Sequence, residues 1–226
     1  MLDDLQKQLT RSLDKVRAAN RKRIYGEDII VVSGLPRSGT SMMMKMLDAA
    51  GFAIMTDGER EADVDNPKGY FEFERVKDLE NEQDKSWVAD ARGNVLKVIS
   101  FLIKELPDDN AYRIIFMRRD IDEVIASQNK MIDRLGTEDT AATDAEVKKL
   151  YQRHLVQVKN LVDKTPNVAM IDVNHRKAIK DAMFVANQVN DFLGGGLDVE
   201  AMAAVVDKKL YRNRAGQLDK PAEVKA

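Results

Sequence analysis

The residues GLPRSGTS, Gly34 to Ser41, stand between the apolar run DIIVVS and the Met-rich stretch MMMKML. A strand, a glycine-punctuated turn and a helix start together form an anion site, because successive backbone N–H groups converge and the helix dipole adds partial positive charge. Gly34 and Gly39 let the backbone approach a phosphate closely, and Pro36 stiffens the turn. Arg37 adds a charged planar fork of donors, and Ser38, Thr40 and Ser41 add hydroxyls. In a nucleoside-triphosphatase loop, a Lys before the final Ser/Thr clamps the β- and γ-phosphates. Thr40 holds that position here, so triphosphate chemistry loses its main charge while a site for one 5′-phosphate or phosphosulfate survives.

PRSGTS followed by a helix resembles the 5′-phosphosulfate loop of the sulfotransferase family, which carries P-[KR]-[ST]-G-[ST]-[ST] at this point. That family takes its sulfuryl group from 3′-phosphoadenosine 5′-phosphosulfate (PAPS) and releases 3′-phosphoadenosine 5′-phosphate (PAP). The resemblance implies that Arg37, Ser38, Gly39, Thr40 and Ser41 bind the donor, with no metal required. A second stretch, YRIIFMRRDIDEVIASQ from 112 to 128, is similar to the family's 3′-phosphate element, a strand ending in Arg with a Ser eight residues later. Arg119 and Ser127 have that spacing, which lets a strand-end Arg and a Ser two helical turns on face one pocket. The alternative is that Arg119 pairs with Asp120 or Asp122 while Ser127 faces solvent.

Between the two elements, LKVISFLIKELPDDN matches a family pattern in which a strand ends in Lys before a helix and an LPD turn. Lys97 fills that place, where it would steady charge on the departing oxygen; otherwise it is a surface lysine. A late strand and helix, VAMIDVNH to FLG, extend the resemblance over residues 28 to 197. Beyond it, Arg212 and Arg214 in LYRNRAG stand where many members have a basic loop, although the usual RKG is missing; Arg212 is taken as a third phosphate contact.

Transfer to a hydroxyl also needs a base. Many family members use His, and this chain has only His154 and His175. His154 lies on or beside the apolar stripe of a long helix, and His175 opens a helix without a supporting motif. Other branches use a Glu some twenty to thirty residues after the loop. That window holds Glu59, Glu61, Asp63 and Asp65, with Glu72 and Glu74 just beyond, and Glu59 is the first choice, 22 positions after Arg37. Each carboxylate is also readable as a solvated loop residue. In NPKGYFEFE, Phe71 and Phe73 should anchor the next helix, and Tyr70 is open.

These residues need a scaffold. From residue 28, β-branched runs alternate with helical periodicity, which predicts an α/β protein with three α/β/α layers, a P-loop-type fold around a central parallel sheet. Strands are expected near 28–33, 95–99, 112–117 and 167–172, with a short one near 52–55. Helices are expected near 40–50, 72–83, 99–106, 120–134, 144–164, 176–192 and 198–206. Residues 56 to 69 lack periodicity and form a candidate lid. Leu2, Leu5, Leu9, Leu13 and Val16 predict a peripheral amphipathic helix within residues 1–25, which could also serve as a contact between copies of the chain. The catalytic domain should occupy 26–215 and a polar tail 216–226.

A chain of 226 residues is long enough for one sizeable core. A formal net charge of -2 gives no bulk attraction to nucleic acid or membrane. The absence of Cys removes disulfides and thiolate chemistry, and neither a signal-peptide core nor a bilayer-spanning apolar run is present. These features predict a cytoplasmic protein acting on a small-molecule, sugar or peptide side-chain acceptor. Two rivals stand beside the sulfotransferase reading. One is a P-loop small-molecule kinase or other NTPase, disfavoured by Thr40. The other is a non-catalytic nucleotide-binding protein, kept open by the uncertain base and by Met42 where many members have Trp.

Overall fold

The structure, a computed structural model, describes residues 16, 19, 22–58, 71–135 and 142–207. Four strands form one parallel sheet: β1 (Ile29–Gly34), β2 (Val95–Lys97), β3 (Tyr112–Arg118) and β4 (Val168–Asn174). Their order across the sheet is β2-β1-β3-β4, so β1 pairs on both sides with strands that follow it much later in the chain. Ile54 makes a single parallel bridge to Val95, which is all that forms of the fifth strand expected at 52–55.

Strand alternation divides the core into two layers. Ile30 and Val32 of β1 point to one face with Ile115 and Met117 of β3, where they meet helix α1 (Thr40–Ala49) through Met43, Met44, Met46 and Leu47. Helices α4 (His175–Lys180), α5 (Ala182–Leu193) and α6 (Val199–Ala204) complete that layer. Ile29 and Val31 point the other way with Tyr112, Ile114 and Phe116, against Trp87, Val88, Ile103 and Val158. Val158 belongs to α3 (Asp144–Lys164), which packs beside α2 (Ile121–Leu135). A parallel sheet covered on both faces is the three-layer α/β/α arrangement expected from the alternating pattern.

Several expected helices differ. Residues 72–83 and 99–106 form only short 3₁₀ turns, Glu74–Asp78 and Ser100–Glu105. Pro107 stops the second, since the residue before a proline avoids the helical region. The first buries Val76 and Leu79 and then enters the polar run Glu80–Lys85, which offers no further apolar face. Another 3₁₀ turn, Ser86–Ala91, had no periodic signal. The helix expected over 176–192 is two helices, because Asp181 leaves the helical region (φ -144°) and its carboxylate accepts from Phe184 N at 3.1 Å as a new N-cap. By contrast α3 spans its expected residues, started by a capping box between Thr143 and Glu146.

Of the predicted N-terminal helix only residues 16, 19 and 22–25 are described, and these are helical. The tail 216–226, Glu59, Arg212 and most of the candidate lid lie outside the described residues. No described helix is long and apolar enough to cross a membrane.

Candidate functional site

All four strands end at the same edge of the sheet, and each delivers residues there. Strand β1 runs into the loop at Gly34, β2 ends on Lys97, β3 passes into Arg118 and Arg119, and β4 ends on Asn174 before His175. The carboxyl edge of an open parallel sheet is where such folds collect ligands. A cavity of about 400 Å³ opens there, lined by the loop from Gly34 through Ser41 except Ser38, together with Glu72, Lys97, Arg119 and His175.

The loop is shaped for an anion. Gly39 holds φ 100° immediately before α1, and Thr40 and Ser41 of that helix's first turn line the cavity. A Cβ on Gly39 would come 2.4 Å from His175 Cδ2, and one on Gly34 would come 2.4 Å from Ser38 Oγ and 2.7 Å from Met117 O. Only glycine fits either place. Ser38 is 1% exposed, and its hydroxyl has no hydrogen-bond partner among the described residues.

Lys97 and Glu72 form the polar wall beside the loop. Lys97 Nζ donates to Glu72 Oε1 at 3.1 Å and to Ser41 Oγ at 3.4 Å. The side chains are 14% and 17% exposed, which excludes the surface-lysine reading of Lys97. Lys77 Nζ stands 3.6 Å from the other carboxylate oxygen, and the Thr56 hydroxyl donates to the Glu72 carbonyl at 2.8 Å, fixing its backbone. Phe71 packs on the α1 layer and Phe73 on the opposite layer, where its ring lies 5.4 Å from Trp87. Their anchoring sets Glu72 between them, toward the cavity. The alternation in FEFE was the signal for this placement; Glu59, the first choice by its distance from the loop, lies outside the described residues.

Arg119 and Ser127 are brought together through a third residue. Arg119 Nη1 donates to the carbonyl of Arg37 at 2.9 Å, and Arg37 Nε donates to Ser127 Oγ at 3.2 Å. Arg119 also pairs with Glu123 at 3.0 Å, both nearly buried, in place of Asp120 or Asp122. Ser127 is 5% exposed, so it does not face solvent. Arg37 takes a left-handed backbone (φ 65°) that these two bonds hold.

The two histidines differ in setting. His154 stacks on Phe101 with ring centroids 3.9 Å apart, bonds Ser100 at 2.9 Å between Nε2 and Oγ, and is pushed below its usual pKa by burial. It is a packed residue on the α3 face. His175 lines the cavity, and burial followed by the nearby Arg119 charge lowers its pKa to about 4, against a smaller upward pull from Glu123. Among the described residues, no group of three or more His, Asp or Glu is gathered as a metal site would need.

No family model matches the chain, and no curated protein does. Among solved structures, the sulfotransferase domain from the curacin biosynthetic pathway is similar at 12% identity and TM-score 0.47, over 85% of this chain and 95% of that one. The sulfotransferase domain from the Synechococcus PCC 7002 olefin synthase aligns at 16% identity and TM-score 0.46, over 86% and 83%. Retinol dehydratase in complex with retinol and PAP aligns at 18% and 0.46, over 84% and 68%. What this chain does must be read from its own site.

Proposed function

We propose that the chain is a PAPS-dependent sulfotransferase acting on a hydroxyl or amine acceptor. The observation that carries this is the Lys97–Glu72 pair set over Ser41 of a phosphate loop that has no loop lysine of its own, all in one cavity. The cradle fits the donor: Gly34 and Gly39 admit a close-lying anion, and Thr40 and Ser41 stand beside them on the cavity wall. PAPS, when bound, supplies the activated sulfuryl group.

The chain's residues then divide the work. First-turn N–H groups of α1 and the loop hydroxyls hold the 5′ end by hydrogen bonds. Lys97 supplies positive charge beside Ser41, where it would steady the bridging oxygen of the donor as its bond to sulfur breaks, a new bond from sulfur to the acceptor forms and PAP leaves. Glu72 takes the acceptor proton at its carboxylate, which lines the cavity 3.1 Å from Lys97 Nζ. Lys97 at 3.1 Å aims that carboxylate, and Lys77 stands 3.6 Å from its other oxygen. Phe73, Val76, Ile99 and Leu102 give the rest of the cavity an apolar wall, which suits a small acceptor with an apolar body.

The test has two arms. Calorimetric titration should show PAP binding more tightly than ATP with magnesium; the reverse order would assign the loop to a triphosphate. Sulfuryl transfer from PAPS to a panel of apolar alcohols, phenols and amines should then be read for wild type and Glu72→Gln. The variant should keep PAP affinity and lose about 10²- to 10⁴-fold in kcat. An unchanged kcat in Glu72→Gln would remove Glu72 from the reaction.

A further inference from the structure

We infer that Thr56 and Asp57 are the positioning residues that set Glu72 against Lys97, by tying the base to the strand that carries the lysine. This rests on the reading of Glu72 as the base and goes beyond it to what holds that base in reach.

Glu72 belongs to no strand and no helix, and it precedes Lys97 by 25 positions, yet its carboxylate meets the lysine Nζ at 3.1 Å. A side chain on an irregular segment keeps such a geometry only when its main chain is fixed from elsewhere. The fixing starts on β2. Val95 N donates to the Ala53 carbonyl at 3.0 Å, Met55 N donates to the Val95 carbonyl at 2.9 Å, and Ile54 makes its parallel bridge to the same residue. Lys97 closes that strand, so the strap at residues 53–55 and the lysine share one reference.

The next two residues of the strap reach across to the segment of the base. The Thr56 hydroxyl donates to the Glu72 carbonyl at 2.8 Å, and the Asp57 carboxylate accepts from Glu74 N at 2.5 Å. Thr56 Oγ1 also accepts from Gly58 N at 3.2 Å, which leaves its proton for the carbonyl. Pairing to β2 stops after one bridge, and two side chains take over where a backbone ladder would have continued. On the other side of Glu72, Phe71 holds a left-handed backbone (φ 52°), a conformation that a bulky residue keeps only where its surroundings over-determine it. The main chain of the base is therefore held before and after the residue. Neither Thr56 nor Asp57 is part of the cavity wall, so both act through Glu72.

The experiment uses Thr56→Val and Asp57→Ala, which remove the donor and the acceptor, beside Thr56→Ser and Asp57→Asn, which keep them. Both positions are exposed, so the folds should survive, and thermal midpoints check this. For sulfuryl transfer from PAPS, Thr56→Val and Asp57→Ala should each lower kcat by about 5- to 50-fold, with PAP affinity within about twofold of wild type. Thr56→Ser and Asp57→Asn should return kcat to within about threefold of wild type. In a Glu72→Gln background, Thr56→Val should lower kcat no further, because residues that act as a unit are not additive. In a crystal of the Thr56→Val, Asp57→Ala double variant, the Glu72 carboxylate should stand beyond hydrogen-bond reach of Lys97 Nζ. A carboxylate still bonded to Lys97, an unchanged kcat, or an equal loss with and without the Glu72 carboxylate would each overturn the inference and leave the base in place. If Glu72→Gln itself turns over like wild type, the assignment of the base fails and the inference falls with it.

Discussion

At the scale of single residues, His175 shows how the site couples to pH. It is 7% exposed, and the edge of its ring fills the space that a side chain on Gly39 would need. With a folded pKa of about 4 and an ordinary value of 6.5, the unfolded chain holds more protons than the folded one between those limits. The stability it contributes is complete above pH 6.5 and drains away as pH falls toward 4, by roughly 3 kcal/mol in total. Urea unfolding of wild type and His175→Asn at pH 7 and pH 4.5 should therefore show the variant losing about 2–3 kcal/mol less between the two pH values. Parallel losses in the two proteins would mean that His175 is protonated in the fold. The sequence placed this residue at the border of the site without a role, because its depressed pKa comes from burial and then from Arg119, 56 positions earlier in the chain.

At the scale of elements, the loop and α1 depend on one glycine. Gly39 combines φ 100° with 2.4 Å from a built Cβ to His175, so Gly39→Ala should destabilise the fold by about 2–3 kcal/mol and abolish PAP binding. Adding His175→Ala should restore part of the stability by removing the contact, leaving the backbone cost. No recovery in the double variant would place the whole penalty on the main chain. This loop was legible because its grammar is local: a β-branched run, two glycines and a helix start within a few residues. The same holds for the four strands. What could not be read was set by distant partners. Arg37 meets Ser127 across 90 positions and Lys97 meets Glu72 across 25, so no spacing rule could say that Arg37 would turn toward α2 or that Glu72 would enter the cavity. The break at Asp181 was readable in principle, since an Asp before an apolar run is an N-cap signal, but continuous periodicity on both sides masked it.

At the scale of the whole molecule, the site is built from all four strand ends, so occupancy should be felt throughout the described fold. PAP at about 100 times its Kd should stabilise the folded state by about 2.7 kcal/mol, which for a domain of this size raises Tm by about 5–10 °C. Adenosine at the same concentration should leave Tm almost unchanged. A shift with ATP and none with PAP would contradict the donor assignment. The sheet order carries a further consequence for how the molecule comes into being. Both partners of β1 are made long after it, β2 at residue 95 and β3 at residue 112, so a nascent chain leaves the ribosome with Ile29–Gly34 apolar and unpaired on either edge. Until Tyr112–Arg118 emerges the phosphate loop has only one neighbour to set its position, and the strand that seeds the site is, during synthesis, a segment for chaperones to shield.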